Sequence, residues 1–312
     1  MFHQSTFDAC KGKWRGVLME LGLPEECLQD KHGPCPMCGG KDRFRFDNKE
    51  GKGTWICGQC DAGTGMDLAM KYTGQDFKEC AARIDAIIGN VTPDTQKSKP
   101  TMSDQERRDA LRNVYRSSQP MQAGDVADAY LRSRDLDEKI YPDCLRFAPS
   151  LRDGEGGVRP AMVATVVDHA GTPVSLHRTF LRPDGSGKAE MASPRKMMPG
   201  VLPDGACVRC QPWASGPLGI AEGIETAMAA GHWYELPTWA ALTSKMLERW
   251  VPPEGCDEVA IFGDSDPKFG GQAAAFRLAH KLAVRGVTVT VHLPPNIGED
   301  WADVWINRRK AA

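Results

Sequence analysis

Four cysteines spaced C-x2-C-x18-C-x2-C constrain this chain more than any other feature: Cys35 and Cys38, then Cys57 and Cys60. Two close thiolate pairs separated by a hairpin-length stretch suit one tetrahedral Zn2+ ion, each pair sitting in its own tight turn. The stretch between them alternates as Arg43-Phe44-Arg45-Phe46, then passes Gly51 and Gly53 to reach Thr54-Trp55-Ile56. That pattern predicts two strands and a turn that bring the pairs together. The competing reading is a pair of reduced CxxC turns that share this spacing by coincidence. Cations and rings occupy the same hairpin: Lys41, Arg43, Arg45, Lys49 and Lys52 with Phe44, Phe46 and Trp55. Such a surface suits single-stranded nucleic acid, whose phosphates pair with cations and whose bases stack on rings. Arg43, Arg45 and Trp55 are the expected contacts. The plainer alternative is a solvated hairpin with a small aromatic core.

A chain of 312 residues suits two domains. Its net charge of −2 excludes a global basic field, so contact with nucleic acid has to come from local patches. The start, MFHQSTFDACKGK, has no charged segment followed by an apolar one. No apolar run approaches the roughly 20 residues of a membrane span. The expectation is a soluble, cytoplasmic protein without a membrane partner. Of the 11 cysteines, those beyond the zinc set are scattered, which suits a reducing compartment rather than a secreted disulfide scaffold.

Residues 5–22 carry Phe7, Cys10, Trp14, Val17, Leu18 and Leu21 at helical spacing, ended by Gly22, and predict one amphipathic helix. Two short helices are expected around Met66–Tyr72 and Phe77–Ile88. Residues 91–102 are polar, hold two prolines and lack apolar periodicity, which reads as a linker. Ser103 and Glu106 form a capping box for a charged helix, and a second helix spans 125–136. From about Val158 the texture turns to strand, with a turn at Asp168–Gly171. From Leu218 short apolar strands alternate with helices, implying a mostly parallel sheet covered on both faces.

Two strands of that sheet run into acids: LGIA into Glu222, and EVAIFG into Asp264-Ser265-Asp266. Ligands of open α/β sheets bind beyond the carboxyl ends of the strands. Aspartates at i and i+2 on such a loop can hold hard Mg2+. Asp300 and Asp303 come after the last strand, giving three acidic clusters for one sheet edge, as two-metal phosphoryl transfer requires. The plainer reading makes Asp264 or Asp266 a helix cap and Glu222 a loop acid. Glu225 reads as an acid favouring a helix N-terminus through the macrodipole.

These residues resemble a known family. AEGIETA (221–227) resembles the glutamate motif of Toprim domains, and IFGDSDP (261–267) their Asp-x-Asp motif. GPCPMCGGKDRFRF (33–46) is similar to the zinc segment of phage and mobile-element primases and primase–helicases. AYLRSRDLDEKIYPDCLRFAPS (129–150) and the basic stretch before Leu218 resemble bacterial-type primase cores. Together the resemblance covers most of 32–70 and 125–305. It implies Glu222 as general acid/base and Asp264 and Asp266 as Mg2+ ligands. It also implies that Arg178, Lys188, Arg195 and Lys196 face template and nucleotide. Three departures stand out. Thr226 occupies the position where the family often carries a further acid. Asp300 and Asp303 replace a closer acidic pair. No G-x4-GK-[ST] phosphate loop is present.

The resulting expectation is an α+β multidomain chain. Residues 1–90 form a zinc-ribbon template-binding domain with helices, followed by the linker at 91–102. Residues 103–216 form the helical and β part of a primase core, and 217–312 a Toprim domain with a mostly parallel sheet. The expected activity is that of a DNA primase, a nucleotidyltransferase making short primers on a single-stranded DNA template from nucleoside triphosphates. Catalysis falls to Glu222, Asp264 and Asp266. Mg2+ or Mn2+ is held by these three with Asp300 and Asp303, and structural Zn2+ by the cysteines. A separate replicative helicase is a candidate partner. The alternatives are a non-catalytic single-stranded-DNA-binding module that recruits a helicase, and a Toprim nuclease.

Overall fold

The computed structural model describes residues 6–91, 94 and 102–311. The chain divides into two compact units, Met1–Met102 and Ser103–Ala312. Of the linker expected at 91–102 only Val91, Asp94 and Met102 are described, and Val91 is buried in the core of the first unit.

The first unit opens with α1 (Thr6–Cys10) and α2 (Trp14–Glu20). The single helix expected over 5–22 is broken between them. Gly12 there takes φ +73° and donates its backbone N–H to Gly51 O at 2.8 Å, so the chain leaves the right-handed helix to meet the zinc hairpin. The apolar pattern still reports the buried face, because Cys10, Trp14, Val17, Leu18 and Leu21 are all buried. Four antiparallel strands follow in the order β1 (Gly33–Cys35), β2 (Gly39–Phe46), β3 (Trp55–Cys57) and β4 (Asp61–Gly63). The expected hairpin is the β2–β3 pair. Then come α3 (Gly65–Thr73) and α4 (Phe77–Ile87), opened by Thr64/Asp67 and Asp76/Glu79 capping boxes. The β2–β3 register sets Phe44 opposite Cys57 and Phe46 opposite Trp55. Alternation therefore sends these rings to one face, where they join Trp14, Met66, Leu68 and Ile84 in a single core.

The second unit begins with α5 (Asp104–Arg116), capped by Ser103 and Glu106 as expected. It continues through β5 (Gln119–Pro120), α6 (Val126–Arg132), β6 (Leu145–Arg152), β7 (Val158–Val167), β8 (Pro173–Phe180) and β9 (Arg195–Met197). These strands form a five-stranded sheet in sequence order, every neighbouring pair antiparallel. The alternating half comes next: β10 (Leu218–Ala221), α7 (Ile224–Tyr234), β11 (Thr238–Ala240), α8 (Ser244–Arg249), β12 (Glu258–Phe262), α9 (Gly270–Ala283), β13 (Thr288–His292) and α10 (Trp301–Ala311). Its four strands run parallel in the order β11-β10-β12-β13. Both β10 and β11 are buried along their whole length, which is why they read as uninterrupted apolar runs.

The two sheets of this unit share one core. Phe147, Met162 and Leu181 from the antiparallel half cluster with Ala221, Ile224, Phe262 and Trp301 from the parallel half. The division expected at 216/217 thus falls inside one compact unit. No helix among the described residues is long and apolar enough to cross a membrane.

Candidate functional site

The four cysteines converge as their spacing predicts. Their sulfurs all lie within 4.8 Å of one another, with Cys35 Sγ 3.8 Å from Cys60 Sγ and Cys38 Sγ 3.7 Å from Cys57 Sγ. A tetrahedron with Zn–S bonds of about 2.3 Å has edges of about 3.8 Å, so the site has the right size for Zn2+. The surrounding backbone already treats the sulfurs as anions. Met37 N–H donates to Cys35 Sγ, and Gln59 N–H and Cys60 N–H donate to Cys57 Sγ, each at 3.4 Å. A thiol hydrogen bond from Cys57 pulls Cys35 down to about 5, whereas burial pushes Cys60 up to about 12. Four such crowded groups ionise together only around a cation.

The acids collect at the end of the parallel sheet. After β10 the chain turns to β11 on one side and later to β12 on the other, so the strand order reverses between β10 and β12. Ala221 lies opposite Phe262 in this parallel pair, and Glu222 and Asp264 therefore leave adjacent strands at the same end. The loop bearing Asp264 and Asp266 is tied to the segment after β13. Ser265 N–H donates to Glu299 O at 3.0 Å, and Gly298 N–H donates to Ser265 O at 2.6 Å. That ladder brings Asp300 beside the loop. Burial, then the charges of Glu222, Asp300 and Asp266, hold the Asp264 carboxyl well above its ordinary range. Asp264 Oδ1 is buried with no hydrogen-bond partner. Burial also raises Asp300, and the Asp303 charge adds to it.

Such a set of half-buried, mutually repelling carboxylates with an orphan oxygen fits hard divalent cations. Among the described residues the cysteines alone have three or more ligand atoms within 4.8 Å of one another; the acids are neighbours at a wider spacing. Some of them have additional structural duties. Asp266 Oδ2 accepts from Gly271 N–H of α9 at 2.8 Å, so this aspartate does cap a helix. Asp300 and Asp303 form a reciprocal cap at the start of α10: Asp303 N–H donates to Asp300 Oδ1 at 2.9 Å, and Asp300 N–H donates to Asp303 Oδ2 at 3.2 Å.

The expected nucleic-acid residues divide. Trp55 is 2 % exposed, stacks on Phe44 and donates its indole N–H to Thr64 O at 3.0 Å. It is a core residue, and the expectation of base stacking on it is corrected: the face that carries the rings is the face that packs on α2 and α3. Arg43 is exposed on the other face of β2, while Arg45 pairs with Asp47 at 3.1 Å and Asp30 at 3.6 Å. Lys196 donates to Asp153 O at 2.7 Å and Glu155 Oε1 at 2.9 Å. Arg178 is partly buried, donating to Met197 O at 3.2 Å with its guanidinium 5.8 Å from the Phe180 ring. Arg195 is exposed on β9, and its charge favours the ionised form of Asp264 across the gap between the two sheets.

Lys188 is partly exposed and lies 3.0 Å from Glu225. Glu225 stands in the first turn of α7, as its place in the sequence predicts; it is also 5 % exposed and accepts from the Tyr130 hydroxyl. Burial opposes its charge, but Lys188 and Tyr130 more than offset this and hold it well below the ordinary carboxylate range. His177 completes the group, buried with Nδ1 unpartnered. No local pattern announces these contacts, because Tyr130 and Glu225 are 95 positions apart.

Comparison with known proteins agrees with this geometry. Residues 30–66 match the model of the zinc-binding domain of primase-helicase, and residues 217–311 match the Toprim domain. The chain joins a primase-type zinc ribbon to a Toprim domain. Between them, residues 105–209 match a domain of unknown function. Among solved structures, the zinc-binding and RNA polymerase domains of Aquifex aeolicus primase are 17 % identical. That match covers 99 % of this chain and 84 % of the other, at a TM-score of 0.42. The primase fragment of the bacteriophage T7 primase-helicase is 14 % identical over 90 % of this chain and 96 % of the other, at a TM-score of 0.39. The catalytic core of E. coli primase is 16 % identical over 65 % and 75 %, at a TM-score of 0.41. The zinc-ribbon–Toprim assignment rests on the family models and the four-cysteine cluster.

Proposed function

We propose that this zinc-ribbon–Toprim chain is a DNA primase that starts short oligonucleotides on single-stranded DNA. The observation that carries the reading is the acidic end of the parallel sheet, where Glu222, Asp264 and Asp300 meet with an unpartnered buried oxygen on Asp264. Asp264 and Asp266 would hold Mg2+ or Mn2+ with Asp300, and Asp303 supports Asp300 through the helix cap. Bound there, the cations would supply charge neutralisation on the attacking and leaving oxygens of nucleotidyl transfer. Glu222 would take the proton from the attacking hydroxyl. Arg195 and Lys188 approach the acids from the antiparallel half and would orient the triphosphate. In the ribbon, exposed Arg43 would meet template phosphates. A separate helicase is the proposed partner.

The test is incorporation of labelled nucleotides on single-stranded DNA with Mg2+ and nucleoside triphosphates. Template-dependent primers support the reading. Cleavage of the strand without nucleotides would make the site a nuclease. Binding without either reaction would leave a recruiting module.

A further inference from the structure

Among the described residues three acids are buried: Asp128, Asp153 and Glu225. The first two serve local structure. Asp128 takes Tyr141, Arg132 and the Gly124 N–H, and Asp153 takes Arg159 and the turn N–H groups of Glu155 and Gly157. Glu225 differs, since its partners come from distant parts of the unit and it lies beside the acids of the sheet edge. Its charge raises the Asp300 carboxyl. An extra buried anion at that place works against the neighbouring carboxylates, which a purely local structural role does not call for.

We propose that Glu225 is a positioning residue that holds Lys188 at the edge of the acidic cluster, so that the ammonium group sets the triphosphate in line with Glu222 and Asp264. This rests on the reading of that edge as a nucleotidyl-transfer site. Glu225 stands in the first turn of α7, three residues after Glu222. One oxygen, Oε1, takes both the Lys188 ammonium at 3.0 Å and the Tyr130 hydroxyl. That double occupation suits a fixed acceptor for a cation better than a metal ligand. Lys188 retains 25 % exposure of its side chain, leaving donors free for a phosphate.

The same helix supports Lys188 from behind. Tyr130 belongs to α6, and the turn that leads into Lys188 is seated on α6. A Cβ built on Gly185 would come within 2.6 Å of Ala129 Cβ and 2.8 Å of Val126 O, and Gly185 takes φ +71°. Backbone seating at Gly185, the hydroxyl of Tyr130 and the carboxylate of Glu225 thus fix one flexible side chain from two directions. A lysine has four rotatable side-chain bonds and places its charge poorly without such support.

The experiment compares full-length wild type with Glu225→Gln, Lys188→Ala, the double variant and Tyr130→Phe, reading ATP affinity and steady-state nucleotide incorporation. Loss of the Lys188 donor should weaken ATP binding about tenfold. Glu225→Gln removes a negative charge and frees the lysine, so ATP should bind as well as before or tighter, while kcat falls about 10- to 100-fold. In the Lys188→Ala background Glu225→Gln should add less than about twofold, because the two act as a unit. Tyr130→Phe should lower kcat in the same direction by a smaller factor. An equal loss of kcat from Glu225→Gln in both backgrounds overturns the proposal, since a merely structural role would be additive. So does a fall of ATP affinity in step with a lower Tm. If wild type incorporates nothing, or Glu222→Gln is as active as wild type, the reading of the site fails. If synthesis depends on Glu222 but Glu225→Gln keeps the wild-type kcat, this inference alone fails.

Discussion

Replacing Asp264 with asparagine should make the Mg2+-free protein more stable while abolishing its response to Mg2+. In the folded chain, burial and the charges of Glu222, Asp300 and Asp266 raise the Asp264 carboxyl well above the usual range. A carboxyl raised in the folded state costs stability progressively as pH rises from the unfolded value to the folded one. That cost stands unless a cation offsets it. Each pKa unit by which burial and repulsion raise the carboxyl costs about 1.4 kcal/mol. Asparagine keeps the shape and removes the charge, so a gain on the order of 1 kcal/mol is expected. In a unit of roughly 150–250 residues that raises Tm by about 2–4 °C, and the unit spanning Ser103–Ala312 is of this size. Mg2+ at about ten times its Kd should stabilise wild type by about 1.4 kcal/mol and leave Asp264→Asn nearly unmoved. Thermal melts would be recorded in Mg2+-free buffer without chelator, because a chelator would also compete for zinc, and repeated across a Mg2+ titration. A lower Tm for Asp264→Asn without Mg2+, together with equal Mg2+ stabilisation of both proteins, would make Asp264 a structural acid and not a cation ligand.

Two further outcomes test other parts of the molecule. Cys57→Ser should reduce bound zinc from about one per chain to none and melt the first unit, since zinc contributes about 10–16 kcal/mol of folding free energy in such modules. The second unit has its own core and should keep its circular-dichroism signal; undiminished zinc by elemental analysis would count against the assignment. His177 is lowered by burial to about 4, so the unfolded chain takes up the proton first as pH falls. Its contribution is complete above about pH 6.5 and is lost between there and about pH 4, amounting to roughly 3 kcal/mol. His177→Gln should flatten the fall of Tm across that window, and identical slopes for both proteins would contradict a buried neutral imidazole.

The zinc ligands were legible because their spacing alone encodes a tetrahedral site, and the 3.7 and 3.8 Å sulfur distances agree with it. The strand-end acids were legible for a similar reason: apolar runs mark strands, and the first residues past a parallel strand lie at its carboxyl end. Alternation in Arg43-Phe44-Arg45-Phe46 also announced two faces, but cations and rings were read as one binding surface. The register of Phe46 with Trp55 puts the rings in the core and leaves the arginines outside. The break at Gly12 depends on a contact with Gly51, which periodicity in 5–22 does not contain. The helix-end place of Glu225 was legible, but its burial and its partners were not, because both partners arrive through the tertiary fold.

The decisive measurement is primer synthesis by Glu222→Gln. Glu222 leaves β10 beside Asp264 and is only partly buried, so the substitution should leave zinc content and template binding unchanged. If this carboxylate moves the proton of the attacking hydroxyl, incorporation on single-stranded DNA should fall by roughly 10²-fold or more, and added Mg2+ should not restore it. Incorporation at the wild-type rate would contradict the account and remove the acidic sheet edge from the chemistry.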